Sequence, residues 1–244
     1  MNSKEEFAGK ILQKGAESFG IQLTNQQVDQ FFEYYRLLVQ WNEFMNLTAL
    51  TEMEEVMEKH FVDSLALSKA AEVGNIETLI DVGTGAGFPG IPLKIAYPHL
   101  RVVLLDSLNK RVKFLSTVIE TLGLTNIQAV HGRAEDAARQ KDYREQFDAA
   151  VSRAVANMAS LSEYCLPFIK VGGVFVPYKS GNIEEELKDA GKAVKTLGGT
   201  IRRVEKFQLP DTDIERSLVL IEKTERTDKR YPRKAGLPSK EPIR

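Results

Sequence analysis

The chain of 244 residues has one cysteine, one tryptophan, three histidines and a formal charge of only −1. A single thiol excludes an intramolecular disulfide framework. Cys165 lies in the apolar stretch Leu161 to Ile169, directly before Leu166 and Pro167. A nucleophilic cysteine beside proline is the sharper reading of it, and ordinary core packing the better one. His60, His99 and His131 with one cysteine give no metal-ligand spacing, so no metal is expected. No apolar run approaches the roughly 20 residues needed to cross a bilayer. The opening Met-Asn-Ser-Lys-Glu-Glu lacks the charged-then-apolar profile of a secretory signal. These absences imply a cytoplasmic protein with no membrane contact. No segment resembles a dedicated dimer seam, which makes a monomer the expected state.

The near-zero charge conceals an asymmetry. Residues 1–60 hold five bases against ten acids, and residues 223–244 hold eight bases against three acids. Pro232, Pro238, Pro242 and Gly236 in that basic end predict an extended tail that tracks phosphates, although a merely solvated tail is the commoner meaning of such a run.

What the chain does have is the stretch Thr78-Leu-Ile-Asp-Val-Gly-Thr-Gly-Ala-Gly-Phe-Pro-Gly90, an apolar strand running into a loop with glycines at 83, 85, 87 and 90. Such spacing permits positive φ and lets backbone amides approach a nucleotide-type ligand. Two cofactor classes use loops of this kind, and the glycines alone do not separate them. Asp81, two residues before Gly83, makes the arrangement resemble the first motif of S-adenosylmethionine-dependent methyltransferases. Pro89 and Pro92 fit a first helical turn, over whose amides a cofactor carboxylate could lie.

Val28, Phe31, Phe32, Tyr35, Leu38 and Val39 recur at helical spacing, and Phe61, Leu65 and Leu67 mark a further short helix. From residue 78 the pattern changes to β-rich runs at 78–82, 101–106, 126–131, 147–152 and 174–179, alternating with helical ones. That alternation predicts an α/β fold with a parallel sheet. Runs at 200–209 and 216–222 are joined only by Pro-Asp-Thr-Asp, too short for a crossover, and should pair antiparallel. The expected division is a helical extension over 1–72, a catalytic domain over 73–224 and a basic tail over 225–244.

In such a sheet the ligand sits beyond the carboxyl ends of the strands. Asp106 ends the second strand about twenty residues after the loop, where a carboxylate can accept both ribose hydroxyls. Glu135, after the third strand, could reach an adenine edge or simply cap the following helix. Arg153 ends the fourth strand and could hold a cofactor, a phosphate or a base, or pair with an acid such as Asp81 or Asp148. His60 and Asp63 could form a hydrogen-bonded pair lining the substrate side.

The run from Gly83 to Pro92, Asp106-Ser-Leu-Asn-Lys-Arg111 with Phe114-Leu115, Arg133-Ala-Glu135, Ser152-Arg-Ala154 and Tyr231-Pro-Arg-Lys-x-Gly-x-Pro together resemble the RsmG (GidB) family. Trp41-Asn-x-x-x-Asn46-Leu-Thr48 and His60-Phe-x-Asp63-Ser64 extend the similarity to nearly the whole chain. The resemblance implies a Rossmann-like methyltransferase fold, a mostly parallel seven-stranded sheet with one antiparallel strand, behind a small helical extension. It implies S-adenosylmethionine as cofactor, 16S ribosomal RNA or the small ribosomal subunit as partner, and methylation of nitrogen 7 of one guanine, of the guanine-527 type. By motif match, Gly83, Phe88, Ala134, Glu135 and Arg153 would touch the cofactor. Gly85 and Asp106 join them from the loop and ribose arguments. Thr84 stands where many relatives have Ser or Ala, a small change that leaves the loop intact.

Guanine nitrogen 7 has a free lone pair and no proton, so the implied reaction needs no general base, and catalysis reduces to holding the reacting atoms in line. No catalytic residue is therefore assigned. Charge and position suggest Lys110, Arg111, Lys179, Arg230, Arg233 and Lys234 as phosphate contacts. Two other functions fit the loop: a nicotinamide-dependent oxidoreductase, and a non-enzymatic nucleotide- or RNA-binding regulator.

Overall fold

The computed structural model describes residues 3–153 and 155–244; Ala154, within one of the matched motifs, lies outside them. Helices α1 (Ser3–Ser18) and α2 (Asn25–Met45) lead into α3 (Met53–Val56), a π-helical turn (Met57–Val62), α4 (Asp63–Leu65) and α5 (Leu67–Ala70). Local chemistry fixes the ends of α2. The Thr24 side chain accepts from the Gln27 amide and the Gln27 side chain accepts from the Thr24 amide, a reciprocal cap. Asn46 then closes the helix in the left-handed conformation, φ 51°. Val28, Phe31, Phe32 and Leu38 face inward as expected, but Tyr34 is fully buried where Tyr35 was expected, and Tyr35 and Val39 are half-buried. The reason is a polar anchor: the Tyr34 hydroxyl donates to the Ala86 carbonyl, an exchange open to a buried tyrosine only where an acceptor lies at its tip.

Strands β1 (Thr78–Val82), β2 (Arg101–Asp106), β3 (Ile127–His131), β4 (Phe147–Arg153), β5 (Ile169–Ser180), β6 (Gly199–Gln208) and β7 (Glu215–Lys223) form one sheet in the order 3-2-1-4-5-7-6. The first five pair in parallel, and β7 runs antiparallel between β5 and β6. The hairpin and the short connection between its strands are thus as the sequence predicts. Helices α6 (Gly90–Ala96), α7 (Asn109–Thr121), α8 (Ala134–Ala137), α9 (Met158–Cys165) and α10 (Glu184–Thr196) connect the strands, and α11 (Leu237–Lys240) is a short turn in the tail.

Side chains alternate across each strand, so the sheet has two buried faces. Leu79, Leu104 and Val151 join Leu12, Phe31, Phe61, Leu93 and Phe114 in one apolar cluster, which makes the N-terminal helices part of the sheet's own core. Ile80, Val82, Val103 and Phe175 pack on the other face with Met158, Cys165 and Ala193. Cys165 is fully buried and burial pushes its thiol well up, in keeping with a core residue. Among the described residues no helix is long and apolar enough to cross a membrane.

Candidate functional site

Strand order reverses between β1 and β4, and the glycine loop leaves β1 at that point, where an open α/β sheet binds its ligand. Asp81 is completely buried there on the face shared with Leu79. Its Oδ2 accepts from Thr84 Oγ1 at 2.7 Å and from the Gly90 amide at 2.8 Å, while Oδ1 has no partner. Burial raises this carboxyl to about 6. Thr84 therefore does more than preserve a small loop residue.

Gly83 has φ 71°, and a Cβ there would stand 2.7 Å from Val155 Cγ2. The residue must be glycine for conformation and for space. The Gly83 and Thr84 amides donate to the Leu105 carbonyl, the Gly85 amide to Asp106 Oδ2 at 2.9 Å, and the Gly90 and Ile91 amides to Asp81 and the Gly87 carbonyl. The loop thus spends most of its amides on the protein. The expected carboxylate cradle over the loop and α6 is largely occupied by the chain itself.

A cavity of 280 Å³ opens beside this loop, lined by Gly83, Leu105, Gly132, Ala134, Glu135 and Tyr164, with Val155, Gly236 and Ser239 at its edge. It gathers the ends of β1, β2 and β3 as strand-end reasoning requires. Asp106 is almost fully buried next to it. Its Oδ1 accepts from the Leu108 amide at 2.9 Å, and Arg111 lies 3.5 Å from Oδ2. Arg111 is accordingly tied to Asp106, while Lys110 is exposed at the start of α7. Glu135 neither caps α8 with its side chain nor stands free, because its Oε1 accepts from the Gly236 amide at 2.8 Å.

Phe88 and Arg153 sit on the other side of the loop. The Phe88 ring stacks on His60 with centroids 4.6 Å apart, touches Tyr34 and Phe61, and carries the Arg153 guanidinium 5.0 Å above its centre. The partner of Arg153 is Asp63 at 3.0 Å, rather than Asp81 or Asp148; Asp148 pairs with Lys170. Asp63 also binds Arg216 at 2.9 Å. His60 and Asp63 thus converge on Arg153 instead of bonding each other. His60 Nε2 lies 2.7 Å from Thr48 Oγ1, and its Nδ1 3.4 Å from Arg153. Burial first, then the nearby guanidinium, push the imidazole down to about 3, so it is neutral.

His60, Asp63, Arg153 and Arg216 line a second cavity of 610 Å³, with Lys59, Tyr178, Lys179 and Glu186. Four cations and two acids face it, Lys179 being held by Glu186 at 2.6 Å. Just past the end of β4, only residue 154 separates Arg153, in this cavity, from Val155, which lines the first. Neither Arg216 nor Tyr34 lies in a motif that the sequence marks, whereas Thr48 ends one of the matched motifs. Arg216 sits on an alternating strand among many charges, and only the fold brings it to Asp63.

The tail differs most from expectation. It packs against the domain instead of extending. Arg233 grips the buried Glu163 through its backbone amide and its guanidinium, at 2.6 and 2.7 Å, and Arg230 pairs with Asp228. Two of the three tail cations proposed as phosphate contacts are therefore engaged within the protein, and Lys234 is exposed. Local composition favoured an extended arm, but the acid that holds the tail lies 70 positions away in sequence.

The family model for rRNA small subunit methyltransferase G (GidB) matches residues 27–219. The chain belongs to this family. The ribosomal RNA small subunit methyltransferase G of Lachnoclostridium phytofermentans is 57% identical, over 94% of this chain and 95% of that one. The protein of the same name from Acetivibrio thermocellus is 50% identical over the full length of both. Among solved structures, StiE O-MT residues 961-1257 superpose with a TM-score of 0.54 at 13% identity, over 80% of this chain and 82% of that one. A putative transferase from Pyrococcus horikoshii gives 0.51 at 14%, over 66% and 61%. These two show the fold alone.

As a GidB-family methyltransferase the chain uses S-adenosylmethionine as methyl donor, which removes the nicotinamide alternative. Its residues fit that donor. The cavity beside Gly83 is lined by glycines, Leu105, Ala134 and Tyr164 together with Arg133 and Glu135, and the Asp106 carboxylate lies next to its Leu105 and Ser107 wall. The unpartnered Asp81 Oδ1 sits at the loop, where an ammonium would supply the missing charge. Gly85, at φ 64°, has no atom within 4 Å of where its Cβ would be, so the loop is open to a ligand there.

Proposed function

We propose that this GidB-family chain methylates nitrogen 7 of a single guanine in 16S ribosomal RNA. The observation that carries the proposal is the adjacency of two unlike cavities across the end of β4: one beside the glycine loop whose charged lining is a single base and a single acid, Arg133 and Glu135, and a larger one between β4, β5, β7 and the π-helical turn in which four cations outnumber two acids. The first suits the nucleoside of the donor. The second, with Lys59, Arg153, Lys179 and Arg216 against Asp63 and Glu186, suits a nucleotide whose phosphates need neutralising. The names of the relatives point to the RNA of the small subunit.

Bound S-adenosylmethionine supplies an electrophilic methyl on a sulfonium. The protein's own part is to orient and to exclude water. Arg153, fixed between Asp63 and the Phe88 ring, holds its donors rigid at the junction. Its planar fork can bind the oxygen of a guanine beside the reacting nitrogen or a flanking phosphate. His60, at about 3, is a weak proton acceptor already bonded to Thr48. A nucleophile with no proton to lose matches such a site, so positioning carries the catalysis.

The test is transfer of labelled methyl from S-adenosylmethionine to small-subunit and large-subunit RNA, each from cells lacking this protein. Label confined to small-subunit RNA, and lost in Arg153→Ala, supports the proposal. Label in large-subunit RNA, in protein or in neither RNA contradicts it.

A further inference from the structure

The cofactor cavity has a wall that the methyltransferase fold itself does not supply. Between β3 and β4 the crossover contains only the four-residue α8, and the gap beside it is filled by the C-terminal tail, whose Gly236 and Ser239 line the cavity with Glu135 and Tyr164. The tail is held there by side chains of that crossover and of α9. Arg144 donates to the carbonyls of Thr227 and Tyr231 at 2.8 and 2.9 Å, and Arg139 to those of Arg230 and Pro232. Glu163, fully buried, takes Arg233 in a two-pronged ion pair, and Ser160 Oγ donates to the Pro238 carbonyl at 2.7 Å. Last in this series, Glu135 receives the Gly236 amide inside the cavity wall.

A buried carboxylate is satisfied by charge or by several donors. That Glu163 obtains its partner from the tail means that an undocked tail leaves an unpaired buried acid, so the docked state is strongly preferred. The tail's last turn, α11, is correspondingly fixed against the cavity.

We propose that the segment from Gly236 to Lys240 is a strap that completes the cofactor site, with Gly236 and Ser239 as further cofactor-contacting positions and Glu135 as the residue that positions the strap. This rests on the 280 Å³ cavity being the S-adenosylmethionine site. Cofactor binding and strap docking then stabilise each other by the same factor, because such coupling is reciprocal.

Two variants separate the strap from the rest of the tail. A chain ending at Lys234 keeps the Arg144, Arg139 and Glu163 anchors and removes the wall together with residues 241–244, of which Ile243 packs on the core. Ser239→Trp keeps the full chain and places a bulky ring at the exposed edge of the cavity. Calorimetric titration with S-adenosylmethionine is expected to show at least a tenfold weaker Kd for both, with unchanged far-ultraviolet circular dichroism. In the full chain, saturating cofactor should slow tryptic cleavage after Lys234 and Lys240 at least threefold. Unchanged affinity in Ser239→Trp, or cleavage that ignores the cofactor, overturns the strap. A full chain that fails to bind S-adenosylmethionine overturns the cavity assignment and the strap with it, an outcome distinct from the first because there the parent binds.

Discussion

Asp81 combines complete burial with one unpartnered oxygen, which makes its charge an unfavourable feature of the ligand-free fold. Its carboxyl stands at about 6 when folded, against 3.8 for the ordinary group. The folded chain holds this proton more tightly than the unfolded chain does. Its stabilising contribution is therefore complete below about pH 4 and is lost as pH rises through 6. Asp81→Asn keeps an acceptor for Thr84 and Gly90 and removes the charge. Its thermal stability relative to the parent should increase from pH 5 to pH 8, by about 1–1.5 kcal/mol in total, while affinity for S-adenosylmethionine falls. Melting curves at a series of pH values, with and without cofactor, check both signs. Asp63 gives the opposite case. It is nearly buried between Arg153 and Arg216, and Asp63→Asn leaves two guanidiniums without their counter-charge. A loss of about 3 kcal/mol is expected in urea unfolding, together with loss of methyl transfer, because Arg153 is no longer held over Phe88.

The π-helical turn that carries His60 depends on α1. Gly15 lies against it so closely that a Cβ would fall 2.5 Å from Val62 Cγ2. Gly15→Ala should gain about 1 kcal/mol in helix propensity, yet the overlap must be relieved by moving the turn, so the net effect is destabilisation of about 1–2 kcal/mol. Val62→Ala in the same chain should recover part of that loss, a coupling that a double-mutant cycle measures. Strands and hairpin were legible in the sequence because apolar periodicity and the four-residue connection are local signals. The π-helical turn was not, since Met57–Val62 has an ordinary helical composition and its widening is set by what packs around it. The same division holds in the site. Gly83, Asp106, Glu135 and Arg153 follow from strand ends. The pairing of Arg153 with Asp63 spans 90 positions and that of Glu135 with Gly236 spans 101, distances over which composition carries no information.

Taken across the whole chain, the acidic beginning and basic end do not form an extended RNA arm. Part of the terminal positive charge is consumed by Glu163 in docking the tail and part by Asp228 within the tail itself, and the cations gathered around the larger cavity come from four separate elements. RNA affinity should therefore depend on Arg216, which the tail does not contain. Arg216→Ala is expected to raise the KM for the RNA several-fold and reduce its salt dependence by about one phosphate contact, leaving cofactor Kd unchanged. Steady-state kinetics at several salt concentrations read this directly. The most direct measurement of the account as a whole is nucleoside analysis and site mapping of small-subunit RNA after reaction with the protein and labelled S-adenosylmethionine. The expected result is 7-methylguanosine at one guanine. Methyl on another atom of guanine, on another base or spread over many sites would contradict it.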